Sequence, residues 1–371
     1  MVSRSSSGGS NSWCSILYKD NIFRFVKYWH LRINNKQNHP LFMLRLKFIS
    51  FLLLAACLSA NAQSGKVYWK RSSPDSIIIS QTDLHNYWTA FDSCMTTSDS
   101  LRQISFIQKY YIDKATTGLK GLNAKDDLHA EDYVDCIRLL PKYLNSIRNT
   151  TLSFRKHEHT IRNAYRKLKR LYPTATFSDI YFLISPLKHG GTPVEGGFII
   201  GTEMLSNDKH ADLSAFSPKQ RNMFASPDLL PALVVHENVH TMQLNDNGKS
   251  TLLKRSLLEG SAEFITRLVL NRTAIKQSTY DYLTAHEASL WREFLEDIKT
   301  NNQDKWFMSD QYEDRLPDLG YIIGYKICEA YYQQSKNKQK AIADIIQMEK
   351  APEIFLKESG YATKTSFVSR Q

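Results

Sequence analysis

The chain has 371 residues, 42% hydrophobic and 23% charged, with a formal net charge of +11 and five cysteines. Such a length supports a sizeable core and excludes a miniature fold that depends on disulfides. Eight Lys or Arg and one acidic residue fall in residues 1–62, leaving 40 basic against 36 acidic side chains beyond, so the basic excess does not mark a nucleic-acid surface.

Near the amino terminus, Met43-Leu44-Arg45-Leu46-Lys47 forms a basic region, Phe48 to Leu58 an apolar stretch and Ala60-Asn61-Ala62 a small-residue cleavage site. Residues 43–62 read as a signal peptide, and residues 1–42 as an upstream extension that is not native. The apolar stretch falls well short of the ~20 residues that span a bilayer. Leu54-Ala55-Ala56-Cys57 also matches a bacterial lipobox, whose cleavage would leave a lipid on Cys57. The site at Ala62 favours simple secretion, so membrane attachment is expected only if Cys57 is lipidated. The expected location is the periplasm or the outside of the cell.

Residues 63–176 read as a helical region. Ile77-Ile78-Ile79 precedes a helix through Leu84, Tyr87, Trp88 and Phe91, and Ile137, Leu140, Leu144 and Ile147 repeat at helical spacing, as do Ile161, Tyr165, Leu168 and Tyr172. Pro141 starts a helix turn or marks a kink. His157 and His159 belong to a solvated basic face. Cys94, Cys136 and Cys328 lie beyond Ala62, with burial the expected fate and a Cys94–Cys136 bridge the alternative; none has C-x-x-C spacing, which argues against a cysteine nucleophile.

The pattern changes after Thr176. Asp179 to Ile184 reads as a strand, Gly190-Gly191-Thr192-Pro193 as a turn, Gly197 to Leu205 as a second strand, and residues 206–227 as a surface loop over the site. Glu203 or His189 would line a cleft beside that edge, where an extended peptide could add itself as a further strand.

Ser226-Pro227-Asp228 then offers a helix start, and Val235-His236-Glu237-Asn238-Val239-His240 follows. Two imidazoles at i and i+4 share a helix face and can bind one zinc ion, with Glu237 beside it as general base for a metal-bound water. An isolated H-E-x-x-H is a weak signal. Glu259-Gly260-Ser261-Ala262-Glu263 strengthens it, because the Asn245 to Gly248 break makes the intervening chain a hairpin that returns Glu259 as third ligand. Glu263, one turn later, could bond the far nitrogen of a ligating histidine. Gly260 removes a side chain where the two helices approach.

Downstream, Leu283, Leu290, Trp291, Phe294 and Ile298 form one stripe, and Tyr321, Tyr325 and Tyr332 another.

His236-Glu237-x-x-His240 with Leu258-Glu259-Gly260-x-Ala262 resembles the gluzincin metallopeptidases, the group that includes thermolysin and aminopeptidase N. Gly196 to Glu203 and Gly320 to Tyr325 are similar to segments of little-characterised predicted Zn-dependent proteases, and lipoproteins associated with gliding motility in Bacteroidota have a related layout. The resemblance covers roughly residues 178–360. It implies His236, His240 and Glu259 as zinc ligands, Glu237 as general base and Glu263 behind the ligands, where related enzymes more often use aspartate. It also implies a tyrosine that bonds the oxyanion, Tyr325 before Tyr321, and a glutamate, Glu203, that holds a substrate amine.

The expected fold is α+β: mainly helical, with a small, predominantly antiparallel sheet and a zincin-like region over 177–371 ending in a helical lobe. The expected function is a secreted or periplasmic zinc peptidase acting on peptide or protein substrates. The alternatives are a non-catalytic envelope lipoprotein or assembly factor that retains the zinc site, and a metal-dependent hydrolase of an ester or non-peptide amide.

Overall fold

A computed structural model describes residues 70–244, 250–307 and 315–363. The expected signal peptide, the upstream extension, Cys57 and the Asn245 to Gly248 break lie outside them.

Six helices build the first part: α1 (Thr82–Cys94), α2 (Ser100–Ile107), α3 (Thr117–Asp126), α4 (Ala130–Leu139), α5 (Pro141–Leu152) and α6 (Glu158–Leu171). Asp99 starts α2 by accepting hydrogen bonds from Leu101 N and Arg102 N, satisfying donors that a helix end leaves orphaned. The stripe from Ile137 to Ile147 belongs to two helices. They divide at Leu140, and Pro141 opens α5, where its missing N–H costs nothing. Tyr87, Trp88 and Phe91 are buried, with Trp88 edge-on to Tyr87 at 5.2 Å.

β1 (Lys70–Arg71) pairs antiparallel with β3 (Phe177–Ser178). A second sheet has the order β2-β4-β6-β5, with β2 (Ile79–Ser80), β4 (Ile180–Leu183), β5 (Gly191–Val194) and β6 (Gly197–Gly201). It is mixed and not predominantly antiparallel as expected: β2, β4 and β6 run parallel, and only β5 opposes its neighbour. β4 and β6 are buried along their whole length, which is why they read as continuous apolar runs. Because β1 and β2 precede the helices and pair with strands that follow them, both sheets draw on the chain on either side of residue 176.

Of the stretch Gly190 to Pro193, expected as a turn, all but Gly190 belongs to the edge strand β5. Gly201 N donates to Gly190 O, so the register turns the backbone groups of Gly191 and Pro193 away from β6. Proline is tolerated there because that edge needs no N–H. β6 is shorter than expected, and Glu203 sits on the 3-10 turn Thr202–Leu205 that follows it. Residues 206–227 fold back onto α5, with Phe216 and Phe224 packed against Tyr143.

The longer helices that follow among the described residues are α7 (Leu230–His240), α8 (Leu252–Leu270), α9 (Gln277–Ala285), α10 (Glu287–Thr300), α11 (Leu319–Gln334), α12 (Lys338–Gln347) and α13 (Pro352–Ser359). Leu283 belongs to α9, apart from the Leu290 to Ile298 stripe on α10. The glycine contact expected between α7 and α8 lies between α8 and α11. A Cβ on Gly260 would come within 2.1 Å of the Gly324 carbonyl carbon, so the two backbones touch there. Cys94, Cys136 and Cys328 are free and buried, without the alternative Cys94–Cys136 bridge. The fold is mainly helical with small sheets, within the α+β class. No helix among the described residues is long and apolar enough to cross a membrane.

Candidate metal centre

α7 carries the H-E-x-x-H residues and is buried on nearly every side up to Val239. Ser226 Oγ accepts from Asp228 N before it, and Pro231 falls in its first turn. Asn238 anchors the helix to the chain around β3: its Oδ1 accepts from Ser178 N at 3.1 Å and its Nδ2 donates to Thr176 O at 3.0 Å. These bonds fix the rotation of α7 and aim His236 and His240 at α8.

There they meet Glu259. His240 Nε2 lies 2.9 Å from His236 Nε2 and 3.1 Å from Glu259 Oε2, and His236 Nε2 lies 3.3 Å from the same oxygen. These separations approach the ~3.3 Å edge of a tetrahedron drawn with ligand bonds of about 2.0–2.1 Å. Among the described residues this is the group of His, Cys, Asp and Glu side chains arranged to share an ion.

The far side of each ring fixes its tautomer. His236 Nδ1 is 2.7 Å from Glu263 Oε1, and Glu263 Oε2 accepts from Ala274 N at 3.0 Å. His240 Nδ1 is 2.8 Å from Gln243 Oε1, an oxygen assigned by the amide nitrogen's own donation to Leu258 O. Both Nδ1 atoms therefore face acceptors and carry the proton of the neutral ring. With both rings neutral, two bare Nε2 lone pairs and a carboxylate oxygen would converge on one point, a donor set that fits a cation.

Electrostatics agree. Burial alone would lower the pKa of His236, but hydrogen bonds to Glu259 and Glu263 outweigh it and raise the ring to about 10. Burial alone would raise the Glu259 carboxyl, and the charge of His240 with hydrogen bonds from both rings instead holds it well below the usual range. The pocket favours positive charge, which a proton on His236 can supply in place of a metal ion.

Glu237 is 1% exposed, and neither carboxylate oxygen has a hydrogen-bond partner among the described residues. Burial pushes its pKa up. Gly191 presses against it, since a Cβ there would come 3.2 Å from Glu237 Cγ. Edge strand β5 thus lies against the helix that carries the ligands.

Of the two tyrosines, Tyr321 is the one at the cluster. Its ring stacks on His236 at 6.2 Å and 27°, and Phe307 packs edge-on to it. Tyr325, the first choice from sequence, points elsewhere: its hydroxyl donates to Glu329 Oε1 at 2.9 Å and its ring packs on Phe264 and Tyr280. One helical turn separates them, and the closely packed face around Gly324 decides which faces the metal residues.

Glu203 is fully buried. Ser185 N and Oγ both donate to its Oε1, and the Tyr143 hydroxyl donates to its main-chain carbonyl. Burial raises its carboxyl to about 8. His189 pairs with Asp126 at 2.7 Å. Gln243 went unmarked in the sequence reading. It stands three residues beyond the last motif histidine, in a turn, and no motif reaches that far.

A family model described as gliding motility protein GldB matches residues 76–363. Neither a curated protein nor a solved structure matches the chain.

Proposed function

The chain belongs to the family of gliding motility protein GldB, and from that premise we propose an exported, lipid-anchored envelope protein in which His236, His240 and Glu259 hold one divalent ion for structure and not for hydrolysis. The carrying observation is the convergence of two bare Nε2 atoms and Glu259 Oε2 within 3.3 Å, with Glu263 and Gln243 engaging the opposite ring nitrogens. Two imidazoles and a carboxylate suit zinc best. The anchor would be Cys57 in Leu54-Ala55-Ala56-Cys57, in preference to release at Ala62. The partners would be other proteins of a gliding apparatus, with the membrane reached through the lipid.

The sheet edge supports a non-hydrolytic role. An extended peptide adds to a strand through alternate backbone groups. On β5 those groups belong to Gly191 and Pro193. Pro193 has no N–H, its carbonyl accepts from Lys125 Nζ at 3.2 Å, and Lys125 also reaches Thr192 Oγ1. Little of the edge remains for a substrate to pair with.

One observation favours the second reading, a zinc peptidase. Glu237 is buried beside the ligands with both oxygens unpartnered among the described residues, and an uncompensated carboxylate is costly to keep unless it has work to do. A bound zinc ion with an open position would lower the pKa of its water toward ~7. Glu237 would accept that water's proton.

The two readings separate in one experiment. The zinc-loaded full chain and Glu237→Ala are incubated with a diverse peptide library, with and without a chelator. The structural reading expects no cleavage by either protein. Chelator-sensitive cleavage that disappears in Glu237→Ala would establish the peptidase instead. Anchoring is tested separately by mass spectrometry of the exported protein, which should carry lipid on Cys57 and lose it in Cys57→Ser.

A further inference from the structure

Past His240 the chain turns back beneath the cluster, with Met242 N and Gln243 N both donating to Val239 O. That turn brings the Gln243 amide between the two ligand-bearing helices. Its Oε1 meets His240 Nδ1 at 2.8 Å, and its Nε2 donates to Leu258 O at 2.7 Å and to Ser261 Oγ at 2.8 Å. Ser261 Oγ closes the ring by donating to Leu258 O at 2.9 Å. Leu258 directly precedes Glu259. One side chain therefore orients a ligand on α7 and grips the turn of α8 that presents the ligand opposite.

The two rings have different supports for a physical reason. Glu263 can serve His236 because its second oxygen meets a donor, Ala274 N. The group behind His240 must accept from Nδ1–H and also satisfy a carbonyl oxygen, and a carboxylate at position 243 would set oxygen against oxygen at Leu258. An amide carries both functions.

We propose that Gln243 is a positioning residue of the metal centre: it holds His240 in the Nδ1–H tautomer and locks α7 to α8, so that the ligands are arranged before an ion arrives. This inference rests on the metal reading above. Zinc affinity is measured by competition with a chromophoric chelator for the full chain, Gln243→Leu and Gln243→Glu, and the His240 Nδ1 proton is followed by NMR. Loss of an outer partner typically costs ~10–100-fold in affinity. Gln243→Leu should fall in that range and lose the Nδ1 proton signal, while the metal-stripped protein keeps its helical spectrum. Gln243→Glu keeps the acceptor for His240 Nδ1 but loses the donations to Leu258 O and Ser261 Oγ and sets oxygen against oxygen at Leu258, so it should also bind zinc more weakly than wild type while retaining the Nδ1 proton signal that Gln243→Leu loses. It also decides the matter if the leucine variant does not fold. Wild-type affinity in both variants would overturn the role of Gln243 and leave the metal centre standing. Absence of zinc binding by the wild-type chain would remove the metal reading, and this inference with it.

Discussion

Glu259 and Glu203 are both buried, 6% and 0% exposed, yet the protein holds them in opposite charge states. Glu259 faces two imidazoles, and their charge and hydrogen bonds overcome the cost of burial, so it stays ionised. Glu203 faces neutral donors from Ser185, too few to offset desolvation, so its carboxyl is raised to about 8 and keeps its proton at neutral pH. Burial therefore does not define a site. The charge of the facing groups separates a place built for a cation from a polar knot in the core.

The comparison breaks most severely if His236 is removed. His236→Ala takes away the ring that lies between Glu259 and Glu263, leaving two buried carboxylates without their shared partner. Breaking a buried pair of this kind costs about 3–5 kcal/mol. Chemical denaturation should find the variant destabilised by that order, with bound metal lost.

Glu203→Gln sharpens the other side. A carboxyl whose folded pKa is raised from 4.5 to about 8 contributes stability that is full below the lower value and lost progressively as pH climbs to the upper one. Denaturation midpoints measured from pH 4 to 9 should show wild type losing on the order of a few kcal/mol relative to Glu203→Gln across that window. Parallel curves would mean that Glu203 ionises normally in the folded protein. Metal content should be unchanged.

Tyr325→Phe is the smallest change. It removes one hydrogen bond to Glu329, worth about 1 kcal/mol, and should leave metal affinity at the wild-type value. A marked fall in affinity would restore Tyr325 to the cluster.

The meeting of His236, His240 and Glu259 was the most legible part of the sequence, because helical geometry dictates that i and i+4 residues share a face and Glu259 lies on the next long helix. Glu263 was legible for the same reason, one turn beyond Glu259. Other residues depended on contacts that no local spacing encodes. Tyr321 and Tyr325 share one stripe, and the Gly260–Gly324 crossing decides which faces His236. Gly191 to Val194 has the composition of a turn, yet pairs with β6 because the missing N–H of Pro193 faces outward. Glu203 lies beyond the strand, which ends at Gly201, on the 3-10 turn Thr202–Leu205, a break that no local spacing announces. The α+β class followed from the periodicities. The parallel sense of β2, β4 and β6 did not, since it depends on how distant segments pair.

The central claim, that His236, His240 and Glu259 hold one divalent ion, is tested most directly by the metal-to-protein ratio of the full chain and of His240→Ala, each purified without a chelator and assayed by plasma mass spectrometry. The account predicts one ion per wild-type chain, zinc foremost, and almost none in the variant. A wild-type chain without metal, or a variant that keeps its ion, would contradict it.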